Sequence, residues 1–284
     1  MRDAAAATVS VHARPVLTIR PRPAIASLQL REAWAHRELL LFLTWRDLKV
    51  RYKQTALGAA WAVVQPLLPM AIFAATLGRI IGPASGTAPY AIFVYAALLP
   101  WTFFANAVTS STNSIVGNAN LVSKVYFPRL IIPAAAVLGA TVDFAIGFAM
   151  LGGLLAWYRI PLHPHLLLTP LLAVLVVVLA LGTGTLFSAL SVKYRDVRHA
   201  LPFVVQLWMF ATPVVFPVTL MPPSWRWLLA INPMTGIVEG FRSAVLGLPF
   251  PFVPLAVSAG ISVTLLIGAA WFFRRAERAF ADTI

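Results

Sequence analysis

Groups that can move protons, attack a substrate or hold a metal are scarce in this chain. It has nine Asp and Glu, five His and no Cys among 284 residues. Without cysteine there is no disulfide, thiolate nucleophile or zinc-thiolate site. One acid stands apart: Asp143, in ATVDFAIG, lies deep in an apolar stretch. An ionisable side chain in such a place marks a functional site by default. No second acid, Lys or Arg is expected at similar depth to complete a proton relay, so a packing or gating role is the reading. His163 and His165, in PLHPHL, have the spacing of half a metal site. No clustered acids join them, and they read as loop histidines with no metal. G-x-S-x-G, H-E-x-x-H and G-x-x-x-x-G-K-[ST] patterns are all missing. Neither catalysis nor ATP hydrolysis by a phosphate loop is supported for this polypeptide, and no cofactor is expected in it.

The elements around these residues are set by hydropathy. The chain is 60% hydrophobic and only 11% charged, with a mean hydropathy of +0.83. Charge-free apolar runs of 18 or more residues read as membrane spans. Six are expected, over 57–77, 90–112, 130–158, 166–190, 201–221 and 252–273. The fold class is therefore an all-α integral membrane protein. Residues 1–27 are rich in Ala, Arg and Pro and read as a flexible cytoplasmic tail.

A net charge of +13 would suggest nucleic acid in a soluble protein. Placed against the spans, the cations describe topology instead. With the amino terminus inside, the inner segments hold 18 of the 22 Lys and Arg, and the outer ones only Arg79, Arg159, Arg226 and Arg242. Cytoplasmic segments carry such an excess, so both termini are expected inside and no nucleic acid is expected as partner.

Residues 28–54 place Leu30, Trp34, Leu41, Trp45 and Leu48 at helical spacing between charges. This predicts an amphipathic helix in the cytoplasmic headgroup layer, in contact with membrane lipid. Its cations Arg46, Lys49, Arg51 and Lys53 then form an interfacial collar. They are also suited to a lipid-linked pyrophosphate. Between the fifth and sixth spans the chain is too rich in Pro and Gly for a straight span and too apolar for a solvated loop. Two short re-entrant helices, near 225–231 and 233–246, fit it, with Glu239 and Arg242 spaced to pair.

Gln65, Asn106 and Gln206 fall within spans, where lipid penalises them, so they should face other helices or a cavity. Pro66, Pro69, Pro100 and Pro213 permit bending. Trp61 joins Gln65 and Pro66 on the first span as a lining candidate. Trp101 and Phe104, and Trp208 and Phe210, lie mid-span rather than at the interfacial belt. They read either as helix packing or as a smooth aromatic lining for sugar faces.

The runs RDLKVRYKQTALGAAWAVVQPLL, NANLVSKVYFPRLIIP, LFSALSVKYRDVRHALPFVVQLWMFATPVVFP and NPMTGIVEGFR resemble the permease subunits of type-2 ABC exporters. The nearest branch is the one exporting O-antigen, capsule or teichoic acid, and the likeness spans roughly residues 30–284. The resemblance implies a homodimer in the bacterial inner membrane, driven by two copies of a separate ATPase subunit that binds ATP and Mg. It implies a polyprenyl-pyrophosphate-linked glycan as cargo. It makes 117–129 a coupling helix, ended by Pro128, with Asn120, Lys124, Tyr126, Phe127 and Arg129 as docking contacts, and the basic loop 193–199 a second contact. Trp225, Glu239 and Arg242 would belong to an outer gate, and Gln65-Pro66 to a bendable, pore-lining point. A drug or lipid exporter of the same class remains an alternative, as does a membrane-bound transferase acting on lipid-linked sugar.

Overall fold

The computed structural model describes residues 35–53, 58, 60–85, 88–125, 127–277 and 280. The expected tail over 1–27, the start of the amphipathic segment and Tyr126 lie outside the described residues. Ten α-helices occur among them: α1 Arg37–Lys53, α2 Ala60–Ile81, α3 Tyr90–Gly117, α4 Ala119–Lys124 and α5 Ile131–Trp157, then α6 Thr169–Lys193, α7 Asp196–Phe210, α8 Arg226–Ile231, α9 Pro233–Leu246 and α10 Phe252–Ala276. Among the described residues, five stretches are long and apolar enough to cross a bilayer: α2, α3, α5, α6 with the 3₁₀ turn before it, and α10.

The hub is α3. It packs against α2, α5, α6, α7 and α9, and most of its length is buried. Two close approaches depend on the absence of a side chain. A Cβ on Gly182 of α6 would lie 2.9 Å from the Leu266 backbone nitrogen of α10, and one on Gly236 of α9 would lie 2.4 Å from the Pro254 carbonyl oxygen. Small residues at such crossings let backbones pack in a setting where lipid removes the usual hydrophobic drive.

The stretch expected as a span over 201–221 is not one continuous helix. α7 starts at Asp196 and stops at Phe210; 15 residues rise about 22 Å, short of a 30 Å hydrocarbon core. Pro213 has no N–H to continue the ladder past Phe210, and the chain unwinds there, whereas α2, α3 and α7 each run through a proline of their own. The carbonyls this frees find partners further along the chain. Asn232 Nδ2 donates to the Ala211 oxygen at 3.2 Å and to Thr212 Oγ1 at 2.8 Å. Arg242 donates to the carbonyls of Val214 and Phe216. Asn232 also caps α9, accepting from the Met234 amide at 3.0 Å, with Pro233 at the first helical position.

The expected short helices before the last span are present as α8 and α9. Glu239 and Arg242 do pair, at 2.7 Å. Arg242 is fully buried, stacks 3.7 Å from the Phe93 ring and donates to the Phe93 carbonyl at 3.3 Å. It therefore pins α9 to α3 and to the unwound segment after α7.

Of the amphipathic helix expected over 28–54, α1 lies among the described residues. Leu43 is its buried apolar residue, whereas Leu41 and Trp45 are exposed. α1 lies along α5. Thr44 sits beside Ala135, and Arg51 and Tyr52 reach Asp143. Eight residues of each helix thus run side by side in the same direction, a shared rise of about 12 Å. The contact is held by Leu43 with Phe127, Ile131, Ile132, Ala135 and Phe273 in one apolar cluster.

The glycine contacts predict a contrast. Gly236→Ala should lower stability by about 1–3 kcal/mol, because the Pro254 backbone must move. Gly268→Ala, whose Cβ would meet nothing within 4 Å, should leave it unchanged or raise it by up to about 1 kcal/mol. Thermal unfolding of both variants in lipid nanodiscs checks the pair.

Candidate functional site

The two sides of α3 differ in chemistry. One side carries Trp101 and Phe104, both buried. Phe104 meets Trp208 of α7 edge-on at 5.0 Å and Trp101 meets it at 6.5 Å, while the Trp208 Nε1–H donates to Asn232 Oδ1 at 2.9 Å. Of the two aromatic readings, packing holds for this trio. Trp101 and Phe104 have no surface with which to line a channel. Gln206 and Phe210 instead share the exposed side of α7.

The other side carries Thr102, Asn106, Thr109, Ser110 and Asn113, none of them buried. Falling at 102, 106, 109–110 and 113, they recur every three or four residues and make a polar stripe along about 16 Å of helix. In hydrocarbon such groups must face protein or a polar cavity. Here they do: Asn106 Nδ2 donates to Gln65 Oε1 of α2 at 2.8 Å. A cleft of about 510 Å³ opens beside them, lined by Arg51, Tyr52, Trp61, Gln65, Asn106, Thr109, Ser110 and Asp143 among others. Pro66 lines the adjoining recess together with Gln65, Asn106 and Asp143. Because Pro66 and Pro69 lack N–H groups, the carbonyls of Ala62 and Gln65 have no donor four residues on. Both residues line the cleft.

Asp143 is the electrostatic centre. Its carboxylate accepts from the Arg51 guanidinium and the Tyr52 hydroxyl of α1. The expectation that no cation would reach its depth is thereby corrected: α1 delivers one from the collar. Burial, and then the neighbouring carboxylate, push the Tyr52 hydroxyl up to about 12, so it remains a donor. The Asp143 side chain is 17% exposed and that of Arg51 is 33% exposed, so the pair faces the cleft rather than closing it off.

The collar is split by this packing. Arg46 turns inward to Asp47 and to Asn118 Oδ1, both at 2.7 Å. Lys49 and Lys53 stay exposed, Lys49 lying over the Trp45 ring at 5.5 Å.

The expected coupling region contains one short helix, α4. It ends at Lys124, ahead of Pro128, where Val125 turns extended. Asn120 and Lys124 are exposed. Phe127 is buried in the cluster beneath α1, so it packs inside this chain and offers no docking surface. Arg129 is likewise engaged, donating from Nη1 to the Glu277 carbonyl at 2.7 Å. Of the basic stretch 193–199, Lys193 ends α6 and lies 5.1 Å from the Tyr194 ring, and the residues from Asp196 on already belong to α7. Trp225 is exposed just before α8. The His163 ring packs against Gly247 and the His165 ring against Phe250.

Apolar spans around a polar cleft define a multi-pass membrane protein of the transport type. The chain belongs to the ABC-2 type transporter family, whose model matches residues 38–246. It is 29% identical to the O-antigen export system permease protein RfbA of Myxococcus xanthus, over 90% of this chain and 98% of that protein. It is 27% identical to the RfbA permease of Klebsiella pneumoniae, over 87% and 95%. It is 25% identical to the polysialic acid transport protein KpsM of Escherichia coli, over 84% and 92%. It is thus a membrane component of a transporter.

The sequence reading missed Thr102, Thr109, Ser110 and Asn113, although their helical periodicity within an apolar run was visible. It also missed Asn232, signalled by Asn-Pro before a helix. A double-mutant cycle tests the α1–α5 clasp. Arg51→Met and Asp143→Asn should each destabilise the protein, and together by about 1 kcal/mol less than the sum. Thermal unfolding in nanodiscs supplies the four values.

Proposed function

We propose that two copies of this chain form the membrane-spanning part of an exporter that moves a lipid-linked polysaccharide, such as an O-antigen or capsule, out through the bacterial inner membrane. The observation that carries the reading is the polar stripe of α3 with its cleft, set in an otherwise apolar bundle. It is supported by relatives named for O-antigen export and polysialic acid transport. In this reading both termini lie in the cytoplasm, which the cation distribution supports. α7 with the unwound segment after it makes the sixth crossing, and α8 and α9 form an outer gate carrying Trp225, Glu239 and Arg242. In this reading Arg242 holds α9 and α3 together as one moving body.

The energy comes from two copies of a separate ATPase with ATP and Mg. α4 is the docking element, with Asn120 and Lys124 presented outward. Motion there is passed on through polar links. Asn118 is tied to Arg46 of α1, and Arg129 to Glu277 beyond α10. α1 in turn is clasped to the middle of α5 beside the cleft.

Deleting the gene should remove surface polysaccharide while the lipid-linked precursor accumulates inside; loss of the precursor itself would point to synthesis instead. Lys124→Glu should weaken capture of the ATPase by the permease about tenfold, as for an interface residue worth more than 1 kcal/mol. Gln65→Leu should lower export while leaving that capture intact, measured as surface polysaccharide and as copurified ATPase.

A further inference from the structure

The Arg51–Asp143 clasp explains why α1 binds α5. It does not explain why Gln65, Asn106, Thr109 and Ser110 also line the same cleft, nor why Trp61 stands at its wall 47% exposed. We propose that the cleft is a binding station for one uncharged sugar ring, resting on the exporter reading above and naming what that path first grips.

The chemistry is that of a polyol. Vicinal hydroxyls both donate and accept, so they are matched by a carboxylate, a guanidinium and side-chain amides set close together. Asp143 supplies acceptors, and Arg51 retains donors beyond the one it gives to Asp143. The Gln65–Asn106 pair is joined through one N–H and one oxygen, leaving the Gln65 amino group to donate and the Asn106 oxygen to accept. Thr109 and Ser110 add hydroxyls. Trp61 offers an apolar ring face to the C–H face of a sugar. At about 510 Å³ the cleft has the volume of an ordinary small-ligand site.

Charge decides between the sugar and the pyrophosphate of a lipid-linked glycan. Among the described residues one cation and one anion line the cleft, so that lining is neutral, and a diphosphate entering it would meet the Asp143 carboxylate at close range. Lys49 and Lys53, exposed and not in the cleft lining, are cations placed to meet phosphate.

The absence of cysteine allows a direct test. Full-length T109C permease in nanodiscs is labelled with a small thiol reagent, alone and with methyl glycosides of the common hexoses, or with inorganic pyrophosphate. S123C on α4, exposed and outside the cleft, serves as the reference. A glycoside at twice its dissociation constant should slow labelling of T109C about threefold and leave S123C unchanged. Adding D143N or W61A should abolish the protection. Protection by pyrophosphate alone, equal protection of both positions, or no protection by any glycoside each overturns the proposal. Labelling does not depend on export, so a sugar-protected T109C in a strain whose deletion leaves surface polysaccharide intact would sink the exporter reading and spare the station.

Discussion

A polar group inside hydrocarbon must be satisfied by protein, and that constraint organises this molecule. α3 obeys it by dividing its surface. Its apolar side is sealed by an edge-on aromatic trio, and its polar side is turned toward α1, α2 and α5, where amides, hydroxyls and a carboxylate meet one another. The buried hydroxyls of Thr112 and Ser114 donate back to carbonyls of the same helix. Segregation leaves one dry contact and one polar cleft.

The same constraint governs where a helix is allowed to break. Pro213 stops α7 and exposes a run of carbonyls, which would be intolerable in lipid without donors. Asn232 and Arg242, both on the far side of a loop, supply those donors. The short helices before α10 are therefore tied structurally to the break in α7. Arg242 does this fully buried, with Glu239 and the Phe93 ring offsetting the removal of its charge from water.

Polar links likewise join parts that hydrophobic packing alone would leave free to slide. Apolar contacts between helices are non-directional, but Arg46 on Asn118, Arg129 on Glu277 and Arg51 on Asp143 fix register. They connect the loop at α4 to α1, to the end of α10 and to the wall of the cleft. Such a connected set of directional contacts is what a transporter component needs if displacement at one end is to change the other.

Much of this was legible in the chain. Hydropathy placed five spans, because a stretch able to cross a bilayer is defined by length and apolarity, both one-dimensional properties. The short helices before the last span were readable from Pro and Gly density, and the Glu239–Arg242 pair from its i, i+3 spacing. Gln65 and Asn106 were readable as misfits in lipid, and they did find a shared cleft. What escaped were contacts between distant positions. Arg51 and Asp143 are 92 residues apart, and nothing local to either tells that α1 climbs along α5. Trp101 and Phe104 looked alike as packing or lining, since which side of α3 faces α7 depends on neighbours rather than on composition. Phe127 read as an external contact because a short basic loop carries no mark of the apolar cluster waiting beneath it. Sequence alone determined which segments live in lipid, for each segment's transfer free energy is a sum over its own residues. Only the tertiary structure decided which polar groups meet, because satisfying a buried group requires a partner whose position is set by every helix between them.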